Sequence, residues 1–126
     1  MPLSPLLLDH FQNPRNVGSL DSASAVTIEV TNPACGDILR LSALVQDGRI
    51  AEVRYRTRGC TAAIASGSAL TELIQGQRPA ELARINAAAV EDAVGGLEPA
   101  SKHAAVLCVD AVRALVLKLD AASVVQ

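Results

Sequence analysis

Ile38-Leu39-Arg40-Leu41-Ser42-Ala43-Leu44-Val45-Gln46-Asp47-Gly48-Arg49-Ile50-Ala51-Glu52-Val53-Arg54-Tyr55-Arg56-Thr57 reads as two extended runs with a reversal between them. The reversal is Gln46-Asp47-Gly48-Arg49, because Asp-Gly readily takes the left-handed backbone of a tight hairpin turn. On the returning run Val53, Tyr55 and Thr57 share one face, while Arg54, Arg56 and Arg58 share the other, as period-two alternation requires. The arginine face is read as the solvated side of a sheet. Upstream, Val26, Ile28 and Val30 alternate with Thr27, Glu29 and Thr31, the pattern of a half-buried strand over residues 25–31. Three antiparallel strands follow from this.

Outside the strands the period changes. Leu6 to Phe11 forms a short helix that Asn13-Pro14 closes, since the residue before a proline is pushed out of the helical region. After Cys60, the apolar residues Ile64, Leu70, Leu73 and Ile74 among many alanines predict a helix, with Gly76 as its left-handed cap. Pro79 opens a further short helix, and the Ala-rich stretch from Asn86 to Val94 predicts another, closed by Gly95-Gly96. The last helix is predicted from about Ser101, as its cap, to about Ala121, with Leu107, Val112, Leu115 and Leu119 on its buried side. Strands followed by a run of helices indicate an α+β fold: a three-stranded antiparallel sheet with helices packed on one face and a long C-terminal helix.

At 126 residues and 50% hydrophobic, the chain is expected to form one domain over residues 1–126. Aromatics are only 2%, so the core is expected to be Ala, Val, Leu and Ile in closely packed helices. A net charge of −2 gives no electrostatic reason to expect nucleic acid or an anionic membrane as partner. Leu6-Leu7-Leu8 is too brief for a signal peptide or a membrane span, and a soluble cytoplasmic protein is expected. Three cysteines without an export signal argue for free thiols, metal ligation or core packing rather than disulfides.

Three segments carry candidate chemistry. Asn32-Pro33-Ala34-Cys35-Gly36-Asp37 lies between two strands and holds a thiol and a carboxylate two residues apart, able to face one metal. Arg58-Gly59-Cys60 puts a second thiol at a strand-to-helix junction, where helix amides favour an anion. His103 falls in the first turn of the last helix. Taken singly, each segment also has an ordinary reading: a chance turn pairing, a small buried helix starter and a half-exposed polar residue. Cys108 lies about 140° around the helix from His103, beside Ala104, Val112, Leu115 and Leu119, and is read as a core residue.

Together, these segments and the N-terminal one resemble the U-type iron-sulfur cluster scaffold family, the IscU proteins and the N-terminal domain of NifU. Leu8-Asp9-His10-Phe11-Gln12-Asn13-Pro14-Arg15-Asn16-Val17-Gly18 looks like the opening signature of the family. Asn32 to Asp37 resembles its first ligand loop, and Gly59 to Ser68 its second with the helix that follows. The resemblance runs nearly end to end and implies the family's fold, a three-stranded antiparallel sheet with packed helices. It also implies that Cys35, Asp37 and Cys60 converge with the start of the last helix. There the family has a His-Cys pair, and this chain has His103-Ala104. One helical turn of about 5.4 Å keeps Cys108 from substituting for the missing thiol. Where many members carry a Leu-Pro-Pro-Val-Lys segment, Leu97-Glu98-Pro99-Ala100-Ser101 stands here, which puts an Hsp70-type chaperone partner in doubt. The long insertion of the zinc-containing branch is absent.

The resemblance therefore implies a scaffold, not an enzyme, that binds iron and a transient [2Fe-2S] cluster at Cys35, Asp37, Cys60 and His103. Its implied partners are a cysteine desulfurase and iron-sulfur acceptor proteins. Two other functions use the same residues: a zinc-binding module, since mixed N, O and S donors suit zinc, and a persulfide carrier working through Cys35 or Cys60.

Overall fold

The structure, a computed structural model, describes residues 4–34 and 36–125, with side chains as far as residue 121. Helix α1 (Pro5–Gln12) is followed by strands β1 (Val26–Thr31), β2 (Ile38–Gln46) and β3 (Arg49–Arg58). Helices α2 (Thr61–Ile74), α3 (Ala87–Ala93) and α4 (His103–Val125) come next, with short 3-10 helices at Pro79–Arg84 and Pro99–Ser101. The sheet has the order β1-β2-β3, antiparallel throughout, as the alternating sequence pattern predicts.

The β2–β3 turn has the expected geometry. Asp47 (φ 53°) and Gly48 (φ 77°) are both left-handed, and Gln46 pairs with Arg49 across the turn. Simple alternation does not foresee the register shift beside it: Leu44 faces Glu52 while Val45 faces Ile50. Strict period two would turn Ile50 away from Val53 and Tyr55. The bulge at Ala51 restores Ile50 to the inner face, where all three residues are buried.

Helices α2 and α4 cover one face of the sheet. Leu39, Leu41, Ala43, Val53 and Tyr55 meet Leu70, Ile74, Leu107, Val112 and Leu115 in one apolar cluster. Gly67 lets α2 come close, because a Cβ there would lie 2.6 Å from the Tyr55 ring. The Tyr55 hydroxyl donates to the Ile64 carbonyl at 2.9 Å, so the buried ring keeps a partner for its polar end. Residues 16–18 run along the outer edge of β3, the Tyr55 N–H donating to the Asn16 carbonyl and the Gly18 N–H to the Tyr55 carbonyl. That edge is thereby partly blunted.

Two helix ends differ from expectation. Gly76 is left-handed (φ 84°) just beyond helix α2, as expected, but the helix already stops at Ile74 with Gln75 extended, and the Gly76 N–H donates to the Ile50 carbonyl at 2.8 Å, tying this end to β3 rather than closing the helix on itself. Ser101 is not a cap: it closes the 3-10 helix that Pro99 opens, and Lys102, itself helical, leads directly into α4 at His103. Pro99 fixes its own φ near the helical value, so the turn begins earlier than a serine-cap reading places it. Among the described residues no helix is long and apolar enough to cross a membrane.

Candidate functional site

The β1–β2 loop is closed by its own backbone. The Asn32 N–H donates to the Asp37 carbonyl at 2.8 Å, the Gly36 N–H to the Asn32 carbonyl at 2.7 Å, and the Asn32 side chain accepts from Ala34 at 2.9 Å. Gly36 is left-handed (φ 77°), which a side chain would strain. This loop turns the Asp37 carboxylate inward, where the residue is 8% exposed. Cys35 lies outside the described residues.

The β3–α2 junction faces that carboxylate. Cys60 is the N-cap immediately before α2, extended (φ −75°, ψ 174°), and it is exposed. Gly59 allows the approach, since a Cβ there would stand 2.8 Å from the Asp37 Cγ and 3.0 Å from the Ala63 Cβ. Any side chain would push the carboxylate off the junction. The glycine is visible in the sequence beside Cys60; what it makes room for is a tertiary fact.

His103, the first residue of α4, completes the group. Its Nε2 lies 3.8 Å from the Cys60 Sγ and 3.5 Å from the Asp37 Oδ2. The donor atoms of Asp37, Cys60 and His103 all lie within 4.8 Å of one another. A tetrahedral metal with bonds of 2.0–2.3 Å spaces its donors about 3.3–3.8 Å apart, so the two measured contacts fit one ion. The Asp37 Oδ2 is buried and has no hydrogen-bond partner among the described residues. Native proteins seldom leave such an atom unpaired, and a bound cation would satisfy it.

The other two positions on α4 are equally defined. Ala104 is buried against Ala62 and Ala63, directly behind the Cys60 junction. Cys108 is 1% exposed within the main core, and burial pushes its thiol up to about 12. It is a packed small hydrophobe.

The NifU-like N-terminal domain family matches residues 4–124 of this sequence. The chain belongs to that family. Among its relatives is the iron-sulfur cluster assembly scaffold protein IscU 1 of Archaeoglobus fulgidus, 43% identical over 87% of this chain and 71% of the relative. The scaffold protein IscU of Haemophilus influenzae is 38% identical over 92% of this chain and 94% of its own length. A solved structure of a candidate iron-sulfur cluster assembly scaffold protein for the SUF system from Fervidobacterium islandicum AW-1 superposes with a TM-score of 0.70. At 18% identity, over 88% of this chain and 93% of that one, it supports the fold alone. In this NifU-like domain, the loops that the opening resemblance singled out are the ones that meet at Asp37, Cys60 and His103.

Proposed function

We propose that this chain is a scaffold for iron-sulfur cluster assembly: it receives iron and sulfide, holds a transient [2Fe-2S] cluster and passes it to acceptor proteins. The whole stretch 1–126 acts as one scaffold domain, with Cys35, Asp37, Cys60 and His103 as the protein ligands. The observation that carries this reading is the convergence of a thiol, an imidazole and an unsatisfied buried carboxylate oxygen at the meeting of three segments, in a chain of the NifU-like family.

The cluster is cargo, and the donor set suits cargo. Two irons need four protein positions, and soft thiolates hold iron-sulfur clusters best. Imidazole is intermediate and carboxylate a hard, poorer ligand, so Asp37 gives a corner of the site that releases readily. With Ala104 adding no thiol, an external thiol from a sulfur donor or an acceptor competes with Asp37 for that corner. A cysteine desulfurase supplies the sulfur in this scheme as persulfide sulfur, and an external two-electron donor reduces it to sulfide as the cysteine thiol leaves. The chain itself does no acid-base chemistry and works as a carrier.

Anaerobic reconstitution with ferric iron and sulfide tests the proposal. The visible charge-transfer absorption of a cluster is expected, abolished by Cys35→Ala or Cys60→Ala and weakened by His103→Ala. Absence of any cluster absorption sinks the reading, as does stoichiometric zinc that iron and sulfide fail to displace.

A further inference from the structure

The helices cover only one face of the sheet. On the open face, Glu29, Arg40 and Arg56 form a row across the three strands, with Arg40 directly opposite Arg56 in the β2–β3 register. Arg54 and Arg58 extend the charge along β3, and Arg58 pairs in register with Ile38, the residue after Asp37. Glu29, Ile38, Arg40, Arg56, Thr57 and Arg58 line a depression of about 350 Å³. The arginine row therefore runs up to the rim of the candidate metal site.

Like charges directly opposite each other on a sheet are destabilising. Glu29 accepts from the Arg40 guanidinium at 3.1 Å, and Glu52 is 3.9 Å from Arg54. Arg56 reaches only the Ser19 hydroxyl, at 3.3 Å, and neither Arg56 nor Arg58 has a carboxylate partner among the described residues. A chain of net charge −2 thus places four of its eleven basic residues on one exposed face, against the interest of its own sheet.

We propose that this face docks an acidic polypeptide surface of a partner protein, which brings that partner's own groups beside Asp37 and Cys60. Charge complementarity is the argument: the unpaired guanidinium groups gain carboxylate partners, and the field of the row steers encounter. Nucleic acid fits less well. Glu29 and Glu52 interrupt the positive surface, and no aromatic side chain stands on this face to stack a base, Tyr55 being in the core.

The test uses metal-free protein, so it does not depend on whether the site holds a cluster. A fluorescein-labelled Glu-rich peptide is titrated with the full chain by anisotropy, at low salt and at about 0.15 M ionic strength. Binding that weakens with salt is expected, with a loss of about tenfold in Arg56→Glu/Arg58→Glu. Arg84→Glu/Arg113→Glu makes the same change in net charge at exposed arginines away from the sheet, and should bind nearly as the parent does. Because Arg56→Glu relieves the clash with Arg40, its melting temperature should not fall. If the reversal nevertheless unfolds the chain, Arg56→Gln/Arg58→Gln is read instead, with about a threefold loss expected. Equal weakening in both double reversals, or no weakening in the sheet variant, overturns the proposal. A labelled oligonucleotide binding more tightly than the peptide through the same arginines overturns it too.

Discussion

The Asp37 Oδ2 lies 3.5 Å from the His103 Nε2, buried and without a hydrogen-bond partner among the described residues. The two residues are 66 positions apart, and their meeting depends on elements that have no chemistry of their own. The loop closed by Asn32 aims the carboxylate, Gly59 leaves room for it, and the 3-10 helix at Pro99–Ser101 delivers the imidazole at the head of α4. In the metal-free protein, the outcome is a buried oxygen held at a cost.

That cost predicts opposite effects on stability and binding at one position. Asp37→Asn keeps the shape but removes the carboxylate charge. Relief of a buried carboxylate oxygen that lacks a hydrogen bond is expected to stabilise the metal-free protein slightly, by under about 1 kcal/mol, because the contact with His103 is weakened at the same time. Affinity for ferrous iron should fall about tenfold or more, the loss of one anionic donor. Thermal melts and metal titrations check both signs; a variant that lost stability and kept its metal affinity would show that Asp37 is structural.

Two glycines separate site from scaffold. A Cβ at Gly59 meets the Asp37 carboxylate at 2.8 Å, whereas one at Gly67 meets the Tyr55 ring at 2.6 Å in the core. Gly67→Ala is expected to destabilise by about 1–3 kcal/mol, with metal affinity per folded molecule unchanged. Gly59→Ala meets the Asp37 carboxylate, which can turn aside, as well as the fixed Ala63 Cβ at 3.0 Å, so its folding cost should be no larger than that of Gly67→Ala and its metal affinity clearly reduced. Denaturant melts paired with metal titrations of both variants distinguish the two.

Much of this arrangement was legible in the sequence because it rests on local patterns. The Asp47-Gly48 turn, the alternation on β1 and β3, and the placement of Cys108 on the inner stripe of α4 all follow from period and turn chemistry. The bulge at Ala51 was not legible, since it comes from the need to bury Ile50 together with Val53 against the same helices. Nor was the start of α4, where Pro99 sets a 3-10 turn ahead of the helix. No single segment carried the site. Asp37, Cys60 and His103 each had an ordinary local reading, and it was resemblance across the whole chain that linked them before the geometry did. The orphaned oxygen of Asp37 and the clearance at Gly59 are tertiary, and no spacing rule encodes them.

The N-terminal segment makes stability depend on pH. His10 is buried between α1 and α2, with its Nδ1 2.8 Å from the Ser68 hydroxyl and its Nε2 3.5 Å from the Glu72 carboxylate. Burial lowers its pKa below the ordinary 6.5, and the neighbouring Arg15 lowers it further, while Glu72 and Asp9 pull the other way. The fold therefore prefers neutral His10, and the unfolded chain takes up the proton first. This contribution to stability is complete above about pH 6.5 and is lost as pH falls below it toward the depressed value. Denaturant melts between about pH 7 and pH 5 should show falling stability, and His10→Asn should flatten the slope over that range. An unchanged slope in the variant would assign the pH dependence to other groups.

Ala104 offers the most direct test of the proposed scaffold. It is buried against Ala62 and Ala63, one residue beyond His103 and behind the junction that holds Cys60. Ala104→Cys adds a single sulfur at that point, and the small alanine neighbours can yield at an expected cost of about 1 kcal/mol. A third soft donor should compete with the Asp37 carboxylate for iron, so cluster retention against a chelator should lengthen, by about tenfold if the added bond contributes about 1.4 kcal/mol. The same gain in retention means slower release to an acceptor, because a donor that holds iron more firmly also raises the barrier to giving it up. Cys108→Ala is the matched control: it removes a thiol from the core with some loss of stability and should leave retention as it was. Equal retention in Ala104→Cys and the parent would place the head of α4 too far from the cargo for a ligand at this position. Slower release together with longer retention would identify alanine at 104 as the feature that keeps the hold on the cluster weak.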